Sequence, residues 1–167
     1  MEIYVQPDGF IQWKDRRARC ALGRSGVTLN KHEGDGATPA GRFALREAMF
    51  RADRMEPPPP PLLCRPIARD MGWSDDPADT EYNKLVFLPH AGGHEELWRE
   101  DGIYDIIVVL GYNDHPPKPN LGSAIFMHIA KPDYSPTEGC VALAKDDLLA
   151  LLADCETETY LSVTAPV

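Results

Sequence analysis

Five consecutive aliphatic residues, Ile106 to Leu110, constrain the fold of this chain more than any other feature. Four of the five are β-branched, and such residues favour extended backbone. The run has no alternation between apolar and polar residues, which is typical of a strand that is covered on both faces. We therefore predict that this segment crosses the middle of a β-rich core.

Other short apolar runs, separated by Gly, Pro and Asp, predict a mainly β chain. The candidate strands lie at Glu2–Val5, Phe10–Trp13, Arg19–Leu22, Arg42–Phe50, Leu85–Leu88, Tyr104–Leu110, Ala124–Ile129 and Thr159–Thr164.

Few helices are expected. A short one is predicted at His94–Arg99 and a longer one at Lys145–Ala153, where acidic residues occupy the first turn and leucines form an apolar face. The prolines at 57–61 predict an extended polyproline II stretch, which acts as a spacer or as a docking surface for a protein module.

Composition limits the function classes. A length of 167 residues fits a single domain, predicted over residues 1–167, and the four widely spaced cysteines favour reduced thiols. The net charge is −9: residues 1–54 hold ten Lys and Arg against seven Asp and Glu, and the remainder holds seven against nineteen. This acidity argues against a nucleic-acid partner. The oligomeric state cannot be read from the sequence.

The first nine residues read as a strand and a turn, not as an export signal, and no window is apolar enough to span a membrane. The expectation is a cytoplasmic protein as the chain is given, or a periplasmic one if a leader was removed.

The segment from Phe126 to Val141 carries the chemistry. It places His128 on an apolar strand and Cys140 directly after Gly139, at the end of a polar loop. A cysteine becomes a nucleophile when a base within about 3 Å takes its proton, and a loop that doubles back brings two such groups together. Backbone N–H groups at Gly139 and Cys140 are candidate donors to a developing oxyanion. The pattern predicts acyl transfer through a thioester.

Two motifs resemble those of the L,D-transpeptidase catalytic domain, also called the YkuD-type domain. Thr137-Glu138-Gly139-Cys140 with the upstream His128 is similar to its [Ser/Thr]-x-Gly-Cys signature and histidine, and residues 31–43 resemble its Gly-Asp-Gly-x-Thr-Pro-x-Gly-x-Phe segment. The resemblance covers about residues 20–148. It implies a mixed β-sandwich with a few short helices, and it implies that a backbone carbonyl near His128 or the Thr137 region orients the imidazole.

One position departs from the family pattern. Ala142 stands two residues after the cysteine, where an arginine is common. Lys31, Arg24 and Arg42 are candidates for the missing carboxylate-binding charge. Thr137 either steadies the active-site loop or simply caps it.

Four further residues are candidate substrate contacts. Tyr112, Asn113 and Ser123 are predicted at strand ends, where clefts form, and Trp73 lies in a segment that also follows the family order. The alternative for Tyr112 and Trp73 is an aromatic residue without contact to substrate. Thr38-Pro39-Ala40-Gly41 is predicted to form a structural turn rather than a contact.

No metal or cofactor is expected. His90 and His94 are four residues apart, but Gly92-Gly93 disfavours a helix that would align them, and no Cys pair or carboxylate triad accompanies them. A surface loop is predicted there.

The resemblance implies a substrate, a peptidoglycan stem peptide or muropeptide. Cys140 would attack the L-centre carbonyl of the third residue of a tetrapeptide stem and expel the terminal D-alanine. Water would then resolve the thioester in an L,D-carboxypeptidase of peptidoglycan recycling, or a stem amine in a cross-linking L,D-transpeptidase. Ala142 and the acidic charge favour water. A non-catalytic module that binds a cell-wall peptide or a protein is the alternative of another class.

Overall fold

Fourteen strands and one helix are found in residues 1–59 and 61–166, the part of the chain that the computed structural model describes. The first seven strands are β1 Glu2–Gln6, β2 Phe10–Trp13, β3 Arg16–Ala21, β4 Val27–Thr28, β5 Thr38–Pro39, β6 Gly41–Phe50 and β7 Leu63–Pro66. The remaining elements are β8 Met71–Ser74, β9 Leu85–Phe87, β10 His94–Glu96, β11 Ile106–Leu110, β12 Phe126–Ile129, β13 Val141–Leu143, α1 Lys145–Asp154 and β14 Tyr160–Val163.

Nine strands form one sheet, in the order β11-β12-β13-β3-β2-β1-β14-β6-β7. The sheet closes on itself because β6 pairs with β14 through its first four residues and with β11 through the rest. The strand pairs β1 with β14 and β12 with β13 are parallel, and most others are antiparallel. The result is a sandwich-like barrel, which confirms the mainly β, mixed sandwich predicted from the sequence.

Both faces of β11 are covered, as its uninterrupted apolar sequence predicted. Ile106, Val108 and Leu110 belong to the cluster inside the barrel, into which α1 inserts its leucines. Ile107 and Val109 belong to a second cluster on the opposite face. This second cluster also contains Cys140, so the candidate nucleophile lies outside the barrel.

The two helix predictions have different outcomes. The helix at 145–153 is confirmed and extends to Asp154, with Leu148, Leu151 and Leu152 buried. The helix predicted at 94–99 is wrong, because residues 94–96 form β10 and pair antiparallel with β8. Hydrogen bonds to β8 satisfy the backbone N–H and C=O groups that would otherwise have bonded within a helix.

All eight predicted strands are found, with bounds that differ by up to three residues. The six strands that the sequence did not predict are short: β4, β5, β7, β8, β10 and β13. Of the turn predicted at Thr38-Pro39-Ala40-Gly41, the first two residues instead form β5, which pairs in parallel with β4, and Gly41 begins β6. The polyproline prediction for 57–61 includes residue 60, outside the described residues, and stays a prediction.

Within the described ranges, no helix has the length and apolar character needed to cross a membrane.

Candidate active site

The parallel pairing of β12 with β13 brings the cysteine loop beside the histidine strand. Met127 is in register with Val141, so Cys140 lies next to Phe126 and two positions from His128 along the strand direction. The Cys140 Sγ atom accepts a hydrogen bond from the Phe126 N–H (3.4 Å) and donates one to the Ala124 carbonyl (3.3 Å). Cys140 and His128 line the same cavity, of about 660 Å³.

The His128 imidazole is held by its own strand end. Its Nδ1 atom lies 2.9 Å from the Ile129 carbonyl oxygen. A carbonyl only accepts hydrogen bonds, so Nδ1 carries the proton and Nε2 carries the free lone pair. The ring also meets the ring of Tyr104 edge-on, with 5.2 Å between centroids. The family resemblance implied a backbone carbonyl as the orienting group, and Ile129 provides one.

Burial makes both groups neutral at pH 7. Cys140 is 8% exposed and His128 is 5% exposed. Desolvation raises the pKa of the Cys140 thiol to about 12, and the nearby charge of Glu95 adds to the rise. Desolvation also lowers the pKa of His128 to about 4. The resting state is therefore a thiol beside a neutral imidazole that is free to accept a proton at Nε2.

Thr137 organises the loop that carries the cysteine. Its hydroxyl donates to the Cys140 carbonyl (2.7 Å) and accepts a hydrogen bond from the Gly139 N–H (3.1 Å). Since the Gly139 N–H already has a partner, the predicted role of that donor in an oxyanion hole is not supported. Thr137 acts as a loop cap, one of the two roles considered for it.

The two sequence motifs meet at this loop. Gly139 has a φ of +139°, and a Cβ added there would lie 2.8 Å from the Ala37 carbonyl oxygen. Thr137 accepts a backbone hydrogen bond from Arg24 (2.8 Å) and donates one to Leu22 (2.9 Å). Ala37, in the segment 31–43, therefore braces the cysteine loop by contact, and residues 22 and 24 hold it by backbone hydrogen bonds, although all three are distant in sequence.

The cavity has walls of both charges. Five carboxylates line it, at Glu33, Asp75, Glu95, Glu96 and Glu138, and so do three cations, at Lys31, Arg99 and Lys131. Glu33 accepts hydrogen bonds from the Tyr82 hydroxyl and from Ser123 Oγ (2.7 Å). Glu95 accepts one from the Tyr104 hydroxyl. A ligand with separated positive and negative groups suits such a cavity.

A model of the L,D-transpeptidase catalytic-domain family, YkuD, matches residues 3–167. The chain belongs to this family. The family membership that the resemblance of the two motifs implied is thereby confirmed.

Solved structures similar to this L,D-transpeptidase domain share little sequence with it. The helical cell shape determining protein Pgp2 from Campylobacter jejuni is 14% identical with a TM-score of 0.52, and the match covers 99% of this chain and 48% of that one. An L,D-transpeptidase from Mycobacterium smegmatis is 12% identical (TM-score 0.46; 98% and 58% covered). L,D-transpeptidase 1 of Mycobacterium tuberculosis is 10% identical (0.43; 98% and 61%). This chain thus spans about half the length of these proteins. No curated protein matches it by sequence.

Of the four predicted substrate contacts, only Ser123 lines the cavity of this L,D-transpeptidase domain. Trp73 is buried against Phe126, with ring centroids 5.1 Å apart, and donates its indole N–H to Asn83. Tyr112 packs edge-on against Phe43. Their rings fill core space that the sequence could not distinguish from a cleft.

Asn113, also predicted to contact substrate, instead holds its own loop. Its amide donates to the carbonyls of Lys118 (3.0 Å) and Gly122 (2.9 Å), and its Oδ1 accepts from the Lys118 N–H. The sequence analysis assigned no role to Asn83, which joins Trp73 to the backbone of residues 112, 113 and 124. Asn83 has a positive φ of 57°, an unusual backbone conformation that cannot be read from the sequence.

The three cations proposed to bind a substrate carboxylate do not all lie at the cavity. Lys31 lines the cavity, whereas Arg24 pairs with Glu138 and Arg42 pairs with Glu2. Arg99 and Lys131 line the cavity too, and the sequence analysis did not propose either of them.

The histidine pair at 90 and 94 has local partners. His90 Nε2 lies 2.6 Å from Asp79, and His94 Nδ1 lies 2.9 Å from the Gly92 carbonyl oxygen. Among the residues that the structure describes, no group of three or more His, Cys, Asp or Glu side chains is arranged to hold a metal ion.

The buried His128 predicts a pH-dependent stability. Its pKa is about 4 in the folded chain and about 6.5 when unfolded, so the unfolded chain binds more protons between these values. Stability is fully present above pH 6.5 and falls as the pH approaches 4. From pH 7 to pH 5 we expect a loss of about 2 kcal/mol in the free energy of unfolding. Urea unfolding at both pH values measures it.

The matched control is His128→Asn, whose amide can still donate to Ile129 but does not titrate. Between pH 7 and 5 the variant should lose about 2 kcal/mol less than the wild type. An equal loss in both proteins would contradict the assignment of a neutral, buried imidazole.

Proposed function

We propose that this domain forms a thioester between Cys140 and a peptidoglycan stem tetrapeptide, at the L,D bond before the terminal D-alanine. The observation that carries the proposal is the shared cavity of Cys140 and His128, with the His128 Nδ1 proton fixed on a carbonyl so that Nε2 is a base. The family supplies the reaction class, and the residues supply the roles.

The neutral resting state defines the first step. As Sγ of Cys140 attacks the carbonyl carbon, its proton moves to Nε2 of His128, so no thiolate needs to exist beforehand. The tetrahedral intermediate then collapses: the C–N bond breaks, and the imidazolium returns the proton to the amine of D-alanine. With the Gly139 N–H occupied by Thr137, the backbone N–H of Cys140 is the candidate oxyanion donor.

Two acceptors compete for the thioester. The acidic sequence and Ala142 favoured water, which would make the enzyme an L,D-carboxypeptidase. The position of the acidic groups favours the other candidate, a stem amine. Burial first, and then the charge of Glu33, raise the pKa of Asp75, and burial raises that of Glu95. Carboxylates crowded in this way favour a bound ammonium group. We therefore propose that an amine outcompetes water when an acceptor stem is present.

Mass spectrometry of the protein with a tetrapeptide stem, with and without an acceptor stem, tests both thioester formation and its resolution by an amine. We expect an acyl adduct on Cys140, tripeptide and D-alanine without acceptor, and cross-linked dimer with it. No adduct and no product would instead support the non-catalytic binding module. Tripeptide without cross-linked dimer in both reactions would instead support resolution of the thioester by water, as in an L,D-carboxypeptidase.

Asp75→Asn separates the amine site from the thiol chemistry. Loss of one carboxylate should lower the ratio of dimer to tripeptide about tenfold and leave tripeptide formation without acceptor unchanged. Asp70→Asn is the control, because Asp70 is exposed and does not line the cavity. An unchanged ratio in Asp75→Asn would argue against the carboxylate wall as the acceptor site.

A further inference from the structure

The stem substrate requires a cation near the thiol. Its D-alanine ends in a free carboxylate that is one residue, at most about 3.6 Å of extended chain, from the scissile carbonyl. The group that binds this carboxylate must therefore share the cavity with Cys140. Ala142 also lines the cavity and brings no charge. In the described parts of the chain, the basic side chains of that wall are Lys31, Arg99 and Lys131.

Lys31 is already committed to its own loop. It is 7% exposed, and its ammonium group contacts the Asp35 carboxylate and the His32 carbonyl oxygen (2.9 Å). A lysine has three donors and no fixed geometry, and two of them are used here. The third donor belongs to an almost fully buried side chain, and its partner Asp35 is itself fixed by backbone hydrogen bonds from His32 and Ala37.

Arg99 keeps one side of its guanidinium open. Asp101 accepts from Nε (3.1 Å) and Nη2 (2.5 Å), which uses one edge of the planar fork. Within residues 1–59 and 61–166, Nη1 has no hydrogen-bond partner, so the Nη1/Nη2 edge can take a second carboxylate. The side chain is 37% exposed.

Aromatic packing places this guanidinium close to the base. Its carbon lies 5.2 Å from the centroid of the Tyr104 ring, and the same ring meets His128 edge-on. Burial lowers the pKa of His128 and the charge of Arg99 lowers it further, so a carboxylate bound to Arg99 is within electrostatic reach of the imidazole that returns a proton to the D-alanine amine. The leaving residue carries both of these groups on a single α-carbon.

Lys131 adds a second positive charge on the same side. It is exposed and lies three residues after His128, just beyond the end of β12. The pKa of Asp101 is lowered chiefly by its hydrogen bond from Arg99, and the charge of Lys131 lowers it further. Two cations thus flank the Asp101 carboxylate.

We infer that Arg99, supported by Lys131, binds the carboxylate of the leaving D-alanine and makes the enzyme specific for stems that end in a free acid. The inference rests on the proposed function and names the specificity determinant of that site. Arg99 binds through the open edge of its fork, while Asp101 holds the other edge and fixes its orientation. The positive charge that binds the carboxylate comes from residues 99 and 131 and not from position 142.

The test compares kcat/KM for a tetrapeptide stem with that for the same stem carrying a C-terminal carboxamide. For the wild type we expect the acid to be preferred by about 10- to 100-fold. Arg99→Met should reduce this preference to within about threefold, by slowing the acid much more than the amide. Arg99→Lys should be intermediate, because it keeps the charge but loses the fork. Lys131→Met should lower the preference by a smaller factor.

Arg16→Met is the matched control, since Arg16 is also paired with an aspartate, Asp154, and does not line the cavity. It should keep the wild-type preference. Urea unfolding of each variant reports whether it is folded. Equal loss on both peptides in Arg99→Met, or an unchanged preference, would overturn the assignment while leaving the proposed function intact. Failure of the wild type to react with either peptide would contradict the proposed function and this inference with it.

Discussion

Cys140→Ala and Cys140→Ser are expected to reduce turnover of a tetrapeptide stem to below about 1% of wild type, because no other group can form the thioester. The fold should survive. Sγ makes two weak hydrogen bonds, to the backbone of residues 124 and 126, and their loss should change the free energy of unfolding by about 1 kcal/mol. Product formation and urea unfolding are measured on the same preparations.

His128→Ala should lose a comparable amount of activity. The two groups act as one unit in the proposed mechanism, so the double variant should be no worse than either single variant. Cys64→Ser is the control, because this half-buried thiol hydrogen-bonds to local carbonyls and does not line the cavity. Activity above a few per cent in Cys140→Ala would end the nucleophile assignment, and a far weaker double variant would show that the residues act separately.

The barrel was largely predictable because its long strands carry their own signal. β11 is apolar throughout. β6 and β12 are recognisable because residues typical of loops lie on both sides of each strand. The unpredicted strands have two to four residues, too few to show a period. β10 was assigned to a helix, since the residues 94–99 are individually good helix formers and only the neighbouring strand β8 makes them extended.

The candidate site was predictable where it is local in sequence. One strand, one loop and one more strand place His128 and Cys140 in the same cavity, and the motif that contains them was enough to select both. The charged walls were not predictable. Glu95 and Arg99 reach the cavity from a segment that the sequence assigned to a helix, and the aromatic rings around them come from elsewhere in the chain.

Chain topology also explains the misplaced substrate contacts. Tyr112 follows β11, and strand ends often surround clefts. In this fold the buried Trp73 ring, inside β8, contacts Phe126, and the half-buried Tyr112 ring packs against Phe43. The composition of a strand end does not tell which face of the sheet its side chain will occupy, because that depends on partner strands that are distant in sequence.

The link between the two motifs leads to the second large effect. Gly139→Ala should lower the free energy of unfolding by about 2–3 kcal/mol, since a φ of +139° is unfavourable for alanine and its Cβ would lie 2.8 Å from the Ala37 carbonyl oxygen. The contact is with backbone, so relief requires the loop to move. A shift of about 1 Å in the adjacent Cys140 should cost about 100-fold in kcat/KM.

Gly26→Ala separates the backbone strain from the clash. Gly26 also has a positive φ, +78°, but a Cβ there would meet nothing within 4 Å, and Gly26 does not line the cavity. It should lose about 1 kcal/mol of stability and keep its activity, because only strain is introduced. If Gly139→Ala behaved in the same way in urea unfolding and in turnover, residues 31–43 would not be bracing the nucleophile. If it lost activity without losing stability, the loop would have moved at little cost, and contact with Ala37 would position Cys140 without stabilising the fold.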